Sequence, residues 1–204
     1  MGTYTTIAEP VQCELDRIKG SRFIADAAGV GSTQEVSELV DRLHEVYPGA
    51  SHHCMAYRLS SGEERSSDDG EPAGTAGRPI LDHLRGSGLE DAAIVVTRFF
   101  GGTKLGGGGL VRAYSAAAAA ILERVAPKTC HHHQMFSIVF GYDATSAVNA
   151  AIATAGARIT SESFAQDVTL HVTVRVENVQ DLAQQLQDRT SGRIALTPYP
   201  VEPI

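Results

Sequence analysis

The sequence predicts an α+β protein of two domains, and three observations predict it. From Met135 onward the order is strand, helix, strand, strand, helix, strand: MFSIVFGY, a helix at Thr145 to Ala155 stopped by Gly156, ARITSESF, VTLHVTVRV, a helix at Asn178 to Arg189, then GRIALTPY. That βαββαβ order is the split βαβ, ferredoxin-like arrangement. Within it Val168, Leu170, Val172, Val174 and Val176 alternate with Thr169, His171, Thr173 and Arg175, as expected of a sheet with one packed and one solvated face. The first 130 residues follow another pattern, with a capped amphipathic helix, a long polar loop, a near-continuous apolar strand and an alanine-rich helix. The change falls near Lys128 to Gln134, so the expected domains are residues 1–130 and 131–204.

The N-terminal elements follow in order. VQCELDRIKGSRFIADAAGV reads as two short strands around Gly20. At Ser32 to Glu35, STQE forms a capping box, in which Ser32 accepts from an orphan amide and Glu35 reaches back. The helix then sets Val36, Leu39, Val40, Leu43, Val46 and Tyr47 on one face, and Pro48-Gly49 stops it. HHCMAYRL is a strand, and SSGEERSSDDGEPAGTAGRP a polar loop rich in turn formers. A short helix at Ile80 to Arg85 precedes the buried-looking strand AAIVVTRFF, a glycine loop, and a helix from about Gly109 to Val125 that ends before Pro127.

Composition narrows the function classes. A chain of 204 residues can bury a core without covalent staples. Cys13, Cys54 and Cys130 are irregularly spaced, against a disulfide framework. There is no signal-peptide pattern and no apolar run of membrane-spanning length, so a cytoplasmic protein without a membrane partner is expected. The net charge of −7 argues against wholesale coating of nucleic acid. Its distribution is uneven, however: Ala92 to Leu122 holds no acidic residue but carries Arg98, Lys104 and Arg112.

That basic window contains GGTKLGGGG. It lacks the Gly-Lys-Ser/Thr ending of a Walker loop and the spaced glycines of a dinucleotide fingerprint. What remains is strand, glycine loop, helix, where side-chain-free amides at a helix N-terminus can approach an anion closely. The candidate phosphate or nucleic-acid contacts are therefore Arg98, Gly101, Gly102, Lys104, Gly106, Gly107, Gly108, Gly109 and Arg112. The competing explanation is packing, since glycines and the run Ala116 to Ala120 also let a helix approach a strand.

A second constellation lies upstream. Asp68, Asp69 and Glu71 crowd around Gly70, either as oxygen ligands for a divalent cation or as an acidic turn with an Asx-type cap; the turn is the favoured reading and no metal is assigned. On HHCMAYRL neighbours point to opposite faces, so only His52 and Cys54 can share one. Cys130 and His131 to His133 are placed in the interdomain connection, and no zinc-motif spacing occurs. His52, His53, Asp68, Asp69 and Glu71 are candidate ligand contacts. No catalytic set can be read from spacing, and no cofactor is expected.

HHCMAYRL, SDDGEPAGTAGRPIL and VVTRFFGGTKLGGGGLVRAYSAA together resemble the signature blocks of the IMPACT family, in its bacterial YigZ group. The resemblance spans about Lys19 to Ala120. The family usually has tyrosine where Phe99 and Phe100 stand, and a non-glycine at Gly107. It implies an N-terminal domain of the ribosomal-protein and small-molecule-kinase type, with a left-handed βαβ unit, and a C-terminal ferredoxin-like domain similar to the last domain of the translocating elongation factor. It also implies a link to regulation of translation. Eukaryotic members compete for the activator of a stress-response kinase through an additional domain, and that partnership is not carried over.

The leading expectation is a non-enzymatic protein that binds RNA or a ribosome-associated factor, touching phosphate through the glycine loop. The alternative is an enzyme or small-ligand binder for a phosphorylated ligand, which requires folding to bring the His-His and Asp-Asp-Gly-Glu segments to that loop. A third reading makes the solvated sheet face around Thr169, Thr173 and Arg175 the working surface.

Overall fold

The computed structural model describes residues 2–199. They form two compact units, one of Tyr4–Cys130 and one of residues 131–199 joined by Gly2 and Thr3.

The first unit contains β1 (Thr3–Ile7), β2 (Val11–Glu14), β3 (Arg22–Gly29), α1 (Thr33–Val46), β4 (His52–Arg58), β5 (Glu64–Ser67), α2 (Gly77–Ser87), β6 (Ala92–Phe99), α3 (Gly107–Leu122) and β7 (Pro127–His131). Five strands form one sheet in the order β2-β3-β6-β4-β5, every neighbouring pair antiparallel. β6 is its centre, and alternate residues of that strand serve two different cores. Ala92, Ile94 and Val96 pack with Phe23, Ile80, Leu84, Tyr114 and Ile121. Ala93 and Val95 pack with Val36, Leu39 and Leu43. The lack of alternation in AAIVV is therefore the mark of a strand covered on both faces, by α2 and α3 on one side and α1 on the other.

α1 begins as its sequence requires. Ser32 Oγ accepts from the Glu35 amide at 3.2 Å, while the Glu35 carboxylate accepts from the amide of Gly31 at 2.9 Å, one residue earlier than a strict capping box. Val36, Leu39 and Leu43 are buried, but Val46 is exposed: it lies at the edge of the apolar stripe in the last turn, beyond the reach of the sheet.

The second unit contains β8 (His133–Phe140), a 3-10 turn at Tyr142–Ala144, α4 (Thr145–Thr154), β9 (Arg158–Phe164), β10 (Val168–Arg175), a 3-10 turn at Val176–Asn178, α5 (Val179–Thr190) and β11 (Thr197–Pro198). The sheet order is β11-β8-β10-β9 with antiparallel pairs, the ferredoxin-like order. Val168, Leu170, Val172 and Val174 are buried with Val148, Ile152, Leu182 and Leu186. The alternation stops there, because Val176 turns out of the sheet into the 3-10 turn and is exposed. His131 ends β7 and His133 begins β8, so the Cys-His tract is built into strands rather than a free connection.

Candidate phosphate-binding site

The ends of β4 and β6, the loop after β5 and the start of α3 enclose a cavity of about 350 Å³ in the first unit. Its polar lining is His52, Glu71, Arg98 and Lys104, with Gly106 and Gly107 at the helix end. Phe100, Pro72, Leu105 and Leu110 supply the apolar wall. Folding thus joins the acidic loop and the glycine loop.

Strand geometry selects the histidine. His52 lies on the same side of β4 as the buried Cys54 and Ala56, which belong to the core under α2 and α3. His53 faces the other way: its ring centroid is 3.9 Å from that of His44 on α1, and its Nδ1 is 3.1 Å from Thr97 Oγ1. His52 Nδ1 lies 2.7 Å from the backbone oxygen of Asp69. A carbonyl only accepts, so this nitrogen carries the hydrogen, and Nε2 lies 3.9 Å from a Glu71 carboxylate oxygen.

The three carboxylates do three different things. Asp68 accepts from the amides of Gly74, Ala76 and Gly77 at 2.8–2.9 Å, tying the loop to the start of α2. Burial alone would raise its pKa, but these amides together hold it below the ordinary carboxylate value. Asp69 accepts from the His53 amide at 2.5 Å, with its own backbone at φ +42°. Only Glu71 reaches the cavity, its side chain 3% exposed. One of its oxygens accepts from Arg98 Nη1 at 2.5 Å and from the Tyr114 hydroxyl at 2.8 Å. Among the described residues no group of three His, Cys, Asp or Glu side chains is arranged to hold a metal ion.

Arg98 is 5% exposed. Its Nη2 donates to Ser21 Oγ at 3.3 Å, and its guanidinium carbon lies 5.6 Å from the ring centres of both Phe23 and Phe100. The Nε–H is buried and has no partner in the protein. A buried charged donor left unpaired carries a real desolvation cost, which a ligand oxygen would relieve.

The glycines divide by purpose. A Cβ on Gly101 would fall 1.9 Å from the carbonyl carbon of Gly20, so this glycine is required by backbone packing. Gly102 and Gly106 have φ of +85° and +75° and shape the turn. Gly107 needs neither: a Cβ there would meet nothing nearer than Thr75 Cγ2 at 3.9 Å. No side chain caps this helix end, which leaves amides of the first turn available to an anion. Gly108 and Gly109 lie in that turn but outside the cavity lining; Arg112 is exposed on α3, with Nη1 3.6 Å from where a Cβ on Gly108 would stand, and does not line the cavity.

Two contributors were not singled out in the sequence, Tyr114 and Ser21. Tyr114 had a signal, as the one polar ring in an alanine-rich helix, where a buried tyrosine hydroxyl needs a partner. Neither it nor Cys54 is an activated nucleophile. Burial, reinforced by Cys54, raises the tyrosine, and burial pushes the Cys54 thiol up to about 12.

Comparison with known proteins identifies the family of both parts of the chain. The Impact N-terminal domain family matches residues 19–122, and a domain of unknown function, DUF1949, matches residues 138–193. The chain belongs to the IMPACT family. An IMPACT family member of Escherichia coli, YigZ, is 30% identical over 200 residues, covering 96% of this chain and 98% of that one. A protein IMPACT homolog of Schizosaccharomyces pombe is 33% identical over 108 residues, half of this chain and 38% of the relative. A crystal structure of a hypothetical protein, 30% identical, superposes with a TM-score of 0.82 over 99% of this chain and all of its own. The cavity lies within the stretch matched as the IMPACT N-terminal domain.

His53 supplies a pH test within the same domain. Burial lowers its pKa below the ordinary imidazole value, and the neighbouring His44 acts in the same direction. The unfolded chain therefore binds the proton more readily than the folded one. Stability is expected to be level above about pH 6.5 and to fall as pH drops below it, until the folded-state pKa is passed. Melting temperatures of wild type and His53→Asn from pH 5 to 7.5 check this: a slope equal in both proteins would remove His53 as its source.

Proposed function

We propose that this IMPACT-family protein binds RNA or a ribosome-associated RNA surface in the regulation of translation, and that it contacts phosphate at the glycine-loop end of α3. The observation that carries this reading is the buried, unpartnered Nε–H of Arg98 beside an uncapped helix N-terminus. Both features want an acceptor oxygen bearing negative charge. Lys104 adds a cation, and Glu71 is already neutralised by Arg98, so the local balance favours an anion despite a protein charge of −7. The family's link to translation, and the nature of phosphate as the commonest anionic group on RNA, supply the partner class. No helix among the described residues is long and apolar enough to cross a membrane.

Gly107→Asp separates binding from folding. An acidic residue in the first turn suits the helix dipole, and replacing a glycine there removes an entropic cost, so stability is expected to rise by about 0.5 kcal/mol or stay level. The same carboxylate would stand in the cavity and repel phosphate. RNA affinity measured over a salt series is expected to drop about tenfold or more at low salt. Unchanged affinity in a folded variant would move the phosphate contact elsewhere.

One observation favours a second reading, a binder of a small phosphorylated ligand: His52 and Glu71 share the cavity with the glycine loop, as that reading requires.

A further inference from the structure

We infer that the cavity recognises a nucleoside 5′-monophosphate, either free or as the 5′-phosphorylated end of an RNA, in preference to an internal phosphodiester. This deepens the phosphate-binding reading above and rests on it. The cavity gathers polar groups from different elements: Arg98 from β6, whose Nε–H has no partner in the protein, the first turn of α3, Lys104 from the loop and His52 from β4. An internal phosphodiester offers two free oxygens and a single charge. A terminal phosphate offers three acceptor oxygens and about −1.5 to −2 charges at neutral pH, enough to occupy such a set.

The other half of the cavity is apolar and contains an exposed aromatic ring. Phe100 is 50% exposed, just past the end of β6, whose residues are buried or half-buried, and it stands beside Arg98. An exposed ring next to a phosphate site is the arrangement that stacks a base. The volume of about 350 Å³ falls at the small end of the range of about 300–1,000 Å³ for ligand sites. One nucleotide fits such a space, and a stretch of several does not.

Glu71 defines the anion's position. Its carboxylate is held by Arg98 Nη1 and Tyr114, so a phosphate cannot take those donors without displacing it. A phosphate in the cavity is left Lys104 and the helix end, beside the apolar wall to which Phe100 belongs.

The test compares short RNA oligomers of one sequence carrying either a 5′-phosphate or a 5′-hydroxyl, by fluorescence anisotropy, with a nucleoside 5′-monophosphate and inorganic phosphate as competitors. The 5′-phosphorylated oligomer is expected to bind about tenfold tighter or more, and the nucleotide to displace it at lower concentration than inorganic phosphate. Phe100→Ala, at a half-exposed position that leaves folding intact, is expected to erase the advantage of the nucleotide over inorganic phosphate while leaving phosphate itself bound. Arg98→Lys, checked by melting temperature, is expected to weaken every phosphate. Binding of the free nucleotide without discrimination between RNA ends would support the monophosphate site and identify the free nucleotide as its ligand. Equal, salt-dependent binding of both oligomers that is sensitive to Gly107→Asp would overturn the end preference and leave the general phosphate contact standing. Failure of RNA, nucleotide and phosphate alike to bind at low salt would overturn both.

Discussion

Glu71→Leu is expected to lower the unfolding free energy by about 3–5 kcal/mol, because it strands the Arg98 guanidinium in the interior without its counter-charge. The pair is almost wholly covered, with side-chain exposures of 6% for Arg98 and 3% for Glu71, so water cannot replace the lost partner. Arg98→Met alone is expected to cost a similar amount, leaving a buried carboxylate with only the Tyr114 hydroxyl donating to it. The double variant should be far less damaged than the sum of the two, since swapping a buried ion pair for apolar groups of similar size is often close to neutral. Denaturant unfolding of the four proteins gives the coupling directly. Additive single effects would show that the two groups do not depend on one another. Neither the double variant nor Arg98→Met should retain phosphate binding, so stability and affinity part company.

Gly101→Ala is expected to be as severe. The added Cβ would lie 1.9 Å from the Gly20 carbonyl carbon and 2.2 Å from the Ser21 amide nitrogen, and both are backbone atoms with no rotamer to yield. Gly20 itself sits at φ +83° and faces the Gly101 carbonyl, so the turn cannot retreat by adopting a commoner conformation. A loss of about 3 kcal/mol or more is expected, at the upper end for overpacking, with the Ser21 contacts to Arg98 and the Gly101 amide broken as well. Gly107→Ala is the control: with 3.9 Å of clearance it should be stabilising by about 0.5 kcal/mol. Thermal melts of both variants check the contrast, and similar shifts in the two would refute the division of roles among the glycines.

The sequence carried the fold further than the site. Alternation on β10, the cap of α1 and the uniform apolarity of β6 each follow from local rules that the packing then obeys. The strand rule also separated His52 from His53. Where the fold departed from pattern, at Val46 and Val176, an apolar residue stood at the end of its element, past the surface it would have covered. The site was harder to read for a physical reason. Arg98 has no acidic neighbour along the chain, yet its partners Glu71 and Ser21 lie 27 and 77 residues away. Charge counted along a sequence window measures one dimension, whereas a sheet brings charges together across it. The acidic loop looked like a unit of three carboxylates; the backbone amides of α2 and β4 claimed two, an allocation no spacing rule encodes.

The contact of Gly20 and Ser21 with Gly101 also sets an order of events. Ser21 and the Gly101 amide are 80 residues apart in the chain, and Tyr114 must arrive later still to fasten Glu71. During synthesis, then, the glycine loop leaves the ribosome as an unshaped strand of backbone, and its pocket exists only after α3 has been made and the sheet has closed around β6. A peptide cut from Thr97 to Leu122 would contain nearly every residue that the sequence nominates for phosphate and still lack the pocket. In this protein the pocket belongs to the completed domain, and a nascent chain acquires it only late.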